Sequence, residues 1–131
     1  MRRSAAVSLV GLALFAVPAA AGTTGRFEVH VRAQPTLVNM AALVRTRLVV
    51  YSIASSGRVL SDARTFRLVA VSPLGERLPL GLRHVGRGTW SGAIRPRVAG
   101  RWVIRVSNWP GAGPVPSVAV HVRGAASLPE P

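Results

Sequence analysis

The chain has 131 residues, 49% of them hydrophobic and 16% charged, and a formal net charge of +13 from 17 basic residues against four carboxylates. It has no cysteine, which excludes a disulfide framework, a cysteine nucleophile, a thiolate metal site and lipid attachment at a cysteine. The length suits one domain able to bury a core without crosslinks or metals; all 17 basic residues are arginine, a pattern of coding bias in a GC-rich genome, so the charge sets a long-range field without naming a polyanionic partner.

The start reads as an export signal. Arg2 and Arg3 form a positive n-region, Ala5 to Val17 is a short apolar run, Pro18 breaks it, and Ala19-Ala20-Ala21 offers the small residues of a cleavage site. This run of 13 residues falls short of the ~20 that span a bilayer; the alternative is an uncleaved amino-terminal anchor. Ser4-Ala5-Ala6 lacks the bulky residues of a twin-arginine signal, which favours the general secretory route. Cleavage after Ala21 leaves a chain beginning at Gly22, with 15 arginines, four carboxylates and a charge of +11. The expected organisation is a signal over residues 1–21, one domain over 22–124 and a tail over 125–131, in an extracytoplasmic location.

Beyond Gly22 the hydrophobic period is two, the signature of strands. Phe27, Val29 and Val31 alternate with Glu28, His30 and Arg32. A second run, from Leu43 to Ile53, puts Val44, Thr46, Leu48 and Val50 in one phase and Arg45, Arg47, Val49 and Tyr51 in the other; Ser55-Ser56-Gly57 then turns the chain. A third, Ala63 to Val71, sets Phe66, Leu68 and Ala70 against Thr65 and Arg67 and closes at Ser72-Pro73-Leu74-Gly75. A fourth, Arg77 to Val85, groups Leu78, Leu80 and Leu82, with His84 in the same phase as an inward histidine; its Pro79 cannot donate to a ladder and marks an edge.

The stretch GTWSGAIRPRVAGRWVIRV, 88–106, joins two tryptophans to four arginines across Pro96 to Gly100. It is either an aromatic and basic binding surface or one β-hairpin showing its two sides in turn. A nucleic-acid platform needs aromatics and cations on one exposed face. Here Trp90 keeps phase with Ile94, and Trp102 with Ile104 and Val106, whereas Arg95, Arg101 and Arg105 take the opposite phase. The pattern therefore places both indoles in a core and argues against specific nucleic-acid binding. In the breaker-rich loop after Val106, Trp109 has no strand to explain it and either covers one end of the core or makes contacts from an exposed loop. Val118, Val120 and Val122 close the pattern against Ala119, His121 and Arg123.

About seven short strands with regular turn signals predict an all-β, antiparallel β-sandwich, a small barrel being the alternative. The order of features is informative. A strand ending near Pro35, Ser55-Ser56-Gly57, Ser61-Asp62-Ala63, Ser72-Pro73-Leu74-Gly75, Gly88-Thr89-Trp90 and Gly100-Arg101-Trp102 together resemble the extracytoplasmic Ig-like modules of the YtkA and FixH type. That resemblance implies an Ig-like domain at the outer face of a bacterial membrane, in some cases tied to copper handling or oxidase assembly. The chain departs from a copper protein in having no methionine or histidine cluster, so no metal ligand is carried over.

The chemical inventory is sparse. His30 and His121 lie on polar faces of terminal strands and could form a surface pair, a weak metal site at best; Met40 reads as packing material. With Glu28, Asp62, Glu76 and Glu130 as the only carboxylates, a general acid and base pair is not indicated. Serine, His84 and Asp62 could be assembled into a triad, but no serine occupies a G-x-S-x-G elbow. Gly86-x-Gly88 fails the dinucleotide fingerprint and reads as a hairpin turn. The expected function is a non-catalytic envelope interaction module without cofactor, partnered by an envelope protein or membrane complex. The alternatives are an arginine-rich binder of acidic polymer or anionic headgroups and, behind it, a copper-handling accessory domain. The candidate contact residues are Arg45, Arg47, Arg95, Arg97, Arg101, Arg105 and Trp109.

Overall fold

The computed structural model describes residues 21–24, 26–111 and 113–124; of the signal expected over 1–21, residues 1–20 lie outside the described residues and Ala21 is described, and the tail 125–131 also lies outside them. Eleven strands follow one another: β1 (Ala21–Thr23), β2 (Phe27–Gln34), β3 (Leu37–Asn39), β4 (Val44–Ala54), β5 (Gly57–Leu60), β6 (Leu68–Val71), β7 (Arg77–Pro79), β8 (Arg83–Gly86), β9 (Thr89–Ile94), β10 (Gly100–Val106) and β11 (Ser117–Arg123). They form two sheets. The first runs β1-β2-β4-β9-β8, with β5 paired to the end of β4; the second runs β3-β11-β10-β6-β7. All pairings are antiparallel except β3 with β11. This order, with the chain passing from β2 in one sheet to β3 in the other at Pro35, is that of an Ig-like β-sandwich.

Period-two alternation produces the core. Val29, Val31, Val44, Leu48 and Val50 from the first sheet meet Leu68, Ala70, Trp102, Ile104, Val118, Val120 and Val122 from the second, all buried. Trp102 satisfies its indole by donating from Nε1 to the Val98 carbonyl at 2.7 Å. Phe27, Phe66 and Trp109 close one end: the Phe66 ring lies 6.4 Å from Phe27, edge to face, and 5.6 Å from Trp109.

The extra strands come from short additions at the edges and from two departures. The region expected as one strand from Arg77 to Val85 is two, because the chain crosses between the sheets at Leu80–Leu82. Leu78 is consequently exposed, Leu80 buried and Leu82 half-buried. Likewise the segment 61–67 precedes β6 without pairing as strand, although Phe66 keeps its inward phase. The 88–106 stretch is not one hairpin: β9 and β10 belong to opposite sheets, and Trp90 and Trp102 face inward from the two sides.

Gly88 is the tightest turn. Its φ is +64°, its N–H donates to Asp62 Oδ1 at 2.6 Å, and its carbonyl accepts from Val50 N at 2.8 Å. A Cβ there would meet the Val50 oxygen at 2.7 Å and the Ser61 nitrogen at 2.8 Å. Gly88→Ala is expected to destabilise the domain by about 2 kcal/mol or more, whereas Gly86→Ala, with open space around it, should stay within about 0.5 kcal/mol; equilibrium urea unfolding of both variants checks the contrast. Thr46 is 2% exposed and its hydroxyl has no partner. Thr46→Val should therefore raise the unfolding free energy, by up to ~1 kcal/mol.

Candidate functional site

Cross-strand register decides which outward side chains stand together. On β4 the outward phase is Arg45, Arg47, Val49 and Tyr51. Arg47 is paired with Arg32 of β2 on one side and with Ser91 of β9 on the other, and Ser91 is paired in turn with Arg83 of β8. The result is a row across four strands: Arg32, Arg47, Ser91, Arg83. A second row, Gln34, Arg45 and Ala93, runs beside it. All four arginines are exposed, and the floor between them is made of small side chains.

The carboxylates are elsewhere. Glu28 lies on the same sheet face but is held by its neighbours: Arg58 Nη1 donates to its Oε2 at 3.0 Å and His30 Nε2 donates to the same oxygen at 2.8 Å. Arg58 also covers the Tyr51 ring at 4.7 Å, and His30 meets that ring edge-on. Partial burial raises the Glu28 pKa, yet the His30 hydrogen bond and the Arg58 charge outweigh it and leave the carboxyl below its ordinary value. Among the described residues Arg58 is the only arginine in an ion pair.

The candidate contact arginines do not converge. Arg45 and Arg47 sit on the outer face of the first sheet, Arg101 and Arg105 on that of the second, where Val103 separates them. Arg95 and Arg97 belong to the connection that crosses from one sheet to the other, and Arg95 Nη1 donates to the Ala41 carbonyl at 3.2 Å. Trp109 is half-buried against Phe66, so it covers the core end and is not a free loop contact. Arg32 and Arg83 complete the row instead. The signal for Arg32 was its phase with Glu28 and His30; Arg83 had none without knowledge of the strand crossing.

Two other groups of titratable side chains lie away from this row. Asp62 Oδ1, besides the Gly88 N–H, accepts from His84 Nε2 at 3.0 Å, and the imidazole stacks on Trp90 at 4.9 Å. The Gly88 hydrogen bond first, then the His84 contact, lower the Asp62 pKa. His84 keeps its expected phase, opposite the inward Trp90 and stacked on it, but is half exposed because β8 is the margin of the sheet. The nearby Ser61 hydroxyl accepts from Ala63 N, and no serine completes a triad with the pair among the hydrogen bonds of the described residues. His30 and His121 stand on outer faces of opposite sheets and form no pair. No group of three or more His, Cys, Asp or Glu side chains among the described residues could share a metal ion. A cleft of about 600 Å³ opens at the margin where β7 and β8 part, floored by Phe66, Leu68, Leu80 and Trp90 with Arg67 and Arg77 at its mouth.

No family model and no curated protein matches the chain. Among solved structures it is similar to a DUF4785 family protein from Legionella pneumophila, with a TM-score of 0.56 at 11% identity; 76% of this chain is covered, and it spans 29% of that protein's length. That likeness is one of fold.

The depressed carboxyls make a pH prediction. A carboxylate favoured by folding adds stability at pH values above its unfolded pKa and loses that contribution as pH falls through its folded value. Stability is therefore expected to decline as pH drops below the ordinary values of 4.5 for Glu28 and 3.8 for Asp62. In Glu28→Gln/Asp62→Asn the decline should be shallower, as read by thermal unfolding across the acid range.

Proposed function

We propose that the chain is a non-catalytic extracytoplasmic Ig-like binding module of a bacterial envelope, which holds an anionic partner on the outer face of its first sheet. The observation that carries this reading is the row Arg32, Arg47 and Arg83, with Arg45 beside it, exposed on a sheet face whose one carboxylate is already engaged by Arg58 and His30. Arginine's planar fork suits oxyanions of phosphate, sulfate or carboxylate type. The signal-like amino terminus supports the location. A partner protein of an envelope complex would use the same charges; the copper-handling reading has no observation of its own.

Fractionation of cells producing the 131-residue chain tests the proposal. The protein should be recovered outside the cytoplasm, retained by the envelope at low ionic strength and released by about 0.5 M salt, because exposed charge pairs are screened there. His84→Ala should behave like the parent. Cytoplasmic recovery, or retention indifferent to salt, contradicts the reading.

A further inference from the structure

Arg32 and Arg47 are directly opposite each other on neighbouring antiparallel strands. Like charges in that position weaken a sheet. A coding bias toward arginine explains arginine in place of lysine; it does not explain two cations in facing positions, a third in the same row, and no carboxylate set among them. Elsewhere the same sheet face does provide such compensation, at Glu28 between Arg58 and His30. The uncompensated row is therefore the feature to account for.

Its dimensions limit what could compensate it. Neighbouring strands lie about 4.8 Å apart and alternate residues along a strand about 6.8 Å apart. Arg32 and Arg47 are one strand spacing apart, Arg47 and Arg83 two, and Arg45 stands one alternate residue along from Arg47. Four guanidinium groups thus cover a strip roughly 15 Å long. A single small oxyanion could engage one or two of them; a chain with oxyanions repeating every several ångströms could engage all. The floor of Ser91, Ala93 and Gln34 leaves room for such a chain to lie across the strands. A membrane-seated face would combine its cations with large apolar side chains for insertion, and neither row contains one.

From this we infer that the first sheet's outer face is a binding site for an extended linear polyanion, an acidic envelope polymer, laid across β2, β4, β9 and β8 and held by Arg32, Arg47, Arg83 and Arg45. This rests on the binding-module reading above and specifies the partner. The Arg32–Arg47 repulsion is relieved when the polymer's charges lie between them, so binding and folding are coupled through that pair.

The test uses protein made from the full sequence and long-chain inorganic polyphosphate as the probe, at about 0.15 M salt, near the physiological screening regime. Arg32→Gln/Arg47→Gln/Arg83→Gln should weaken binding by at least ~20-fold and flatten its salt dependence, as loss of three counterion-releasing contacts requires. The charge-matched variant Arg77→Gln/Arg101→Gln/Arg123→Gln, altered on the other sheet, should lose less than about 3-fold. Arg47→Gln alone should raise the melting temperature of the free protein while weakening polyphosphate binding. Equal losses in the two triple variants, equally tight binding of monomeric phosphate, tighter binding to anionic phosphatidylglycerol vesicles through the same residues, or a lower melting temperature for Arg47→Gln would each overturn the inference. Salt-sensitive envelope retention with no polyphosphate binding would overturn the inference alone and leave the binding-module reading standing.

Discussion

Side chains on a strand alternate between two faces, and from Val29 to Val122 almost every position of one phase is aliphatic. Burial of two such faces against each other is the interaction on which the rest of the molecule depends. Each buried valine or leucine contributes about 1.5–3 kcal/mol relative to exposure, and with no cysteine and no metal cluster among the described residues, nothing else of comparable size is present. The same alternation forces the other phase into water. Where the inward phase is fixed, the outward phase is free to vary, and in this chain it holds arginine.

That freedom has limits, because three described carboxylates cannot balance the arginines around them. Two of the three are engaged in local structure. Glu28 ties β2 to the β4–β5 hairpin through Arg58, and Asp62 ties the segment after β5 to the turn at Gly88 and to His84. Both act as positional clamps more than as neutralising charges, since exposed ion pairs contribute about 0–1 kcal/mol each. The consequence is a molecule whose stability is apolar and interior while its surface field is collective and positive. Under the proposed binding reading, a partner would be selected by the geometry in which these arginines lie, and that geometry is set by strand pairing.

How far the sequence disclosed this follows from the range of each interaction. The inward phases of β2, β4, β6, β9, β10 and β11 were legible because they are local: Val44, Leu48 and Val50, or Trp102, Ile104 and Val106, declare their face by spacing alone. Trp90 and Trp102 were placed inward for the same reason. The crossing at Leu80–Leu82 was not legible, because Leu78, Leu80 and Leu82 satisfy a period of two whether or not the chain changes sheets. His84 keeps the phase that this spacing gives, opposite Trp90, but its exposure follows from β8 being the last strand of its sheet, which spacing alone does not reveal. The arginine row was the least accessible of all. Arg32 and Arg47 are fifteen positions apart and Arg83 is thirty-six beyond Arg47; their adjacency is a property of register, which single-strand patterns do not carry.

The margins of the two sheets bear on whether the proposed binding would use a face or an edge. An unpaired edge strand invites another strand to add to it. Here β7 ends in Pro79, which lacks a donor, and β8 is bulged between His84 and Gly86 and carries Arg83. The opposite margins are short: β1 and β3 are three residues each. Each is a known means of discouraging strand addition, so backbone pairing with a partner is disfavoured at these four margins. The outer face of the second sheet is poorly suited to a uniform charge contact, because Val71, Val103 and Ala119 run across its middle between peripheral arginines. What remains is the face of the first sheet, where strand pairing places three arginines in one row over a buried core that includes Val29, Val31, Leu48 and Val50. That placement matters to such a contact, since arginines already set in register on paired strands lose less freedom on binding than the same charges on a mobile tail would.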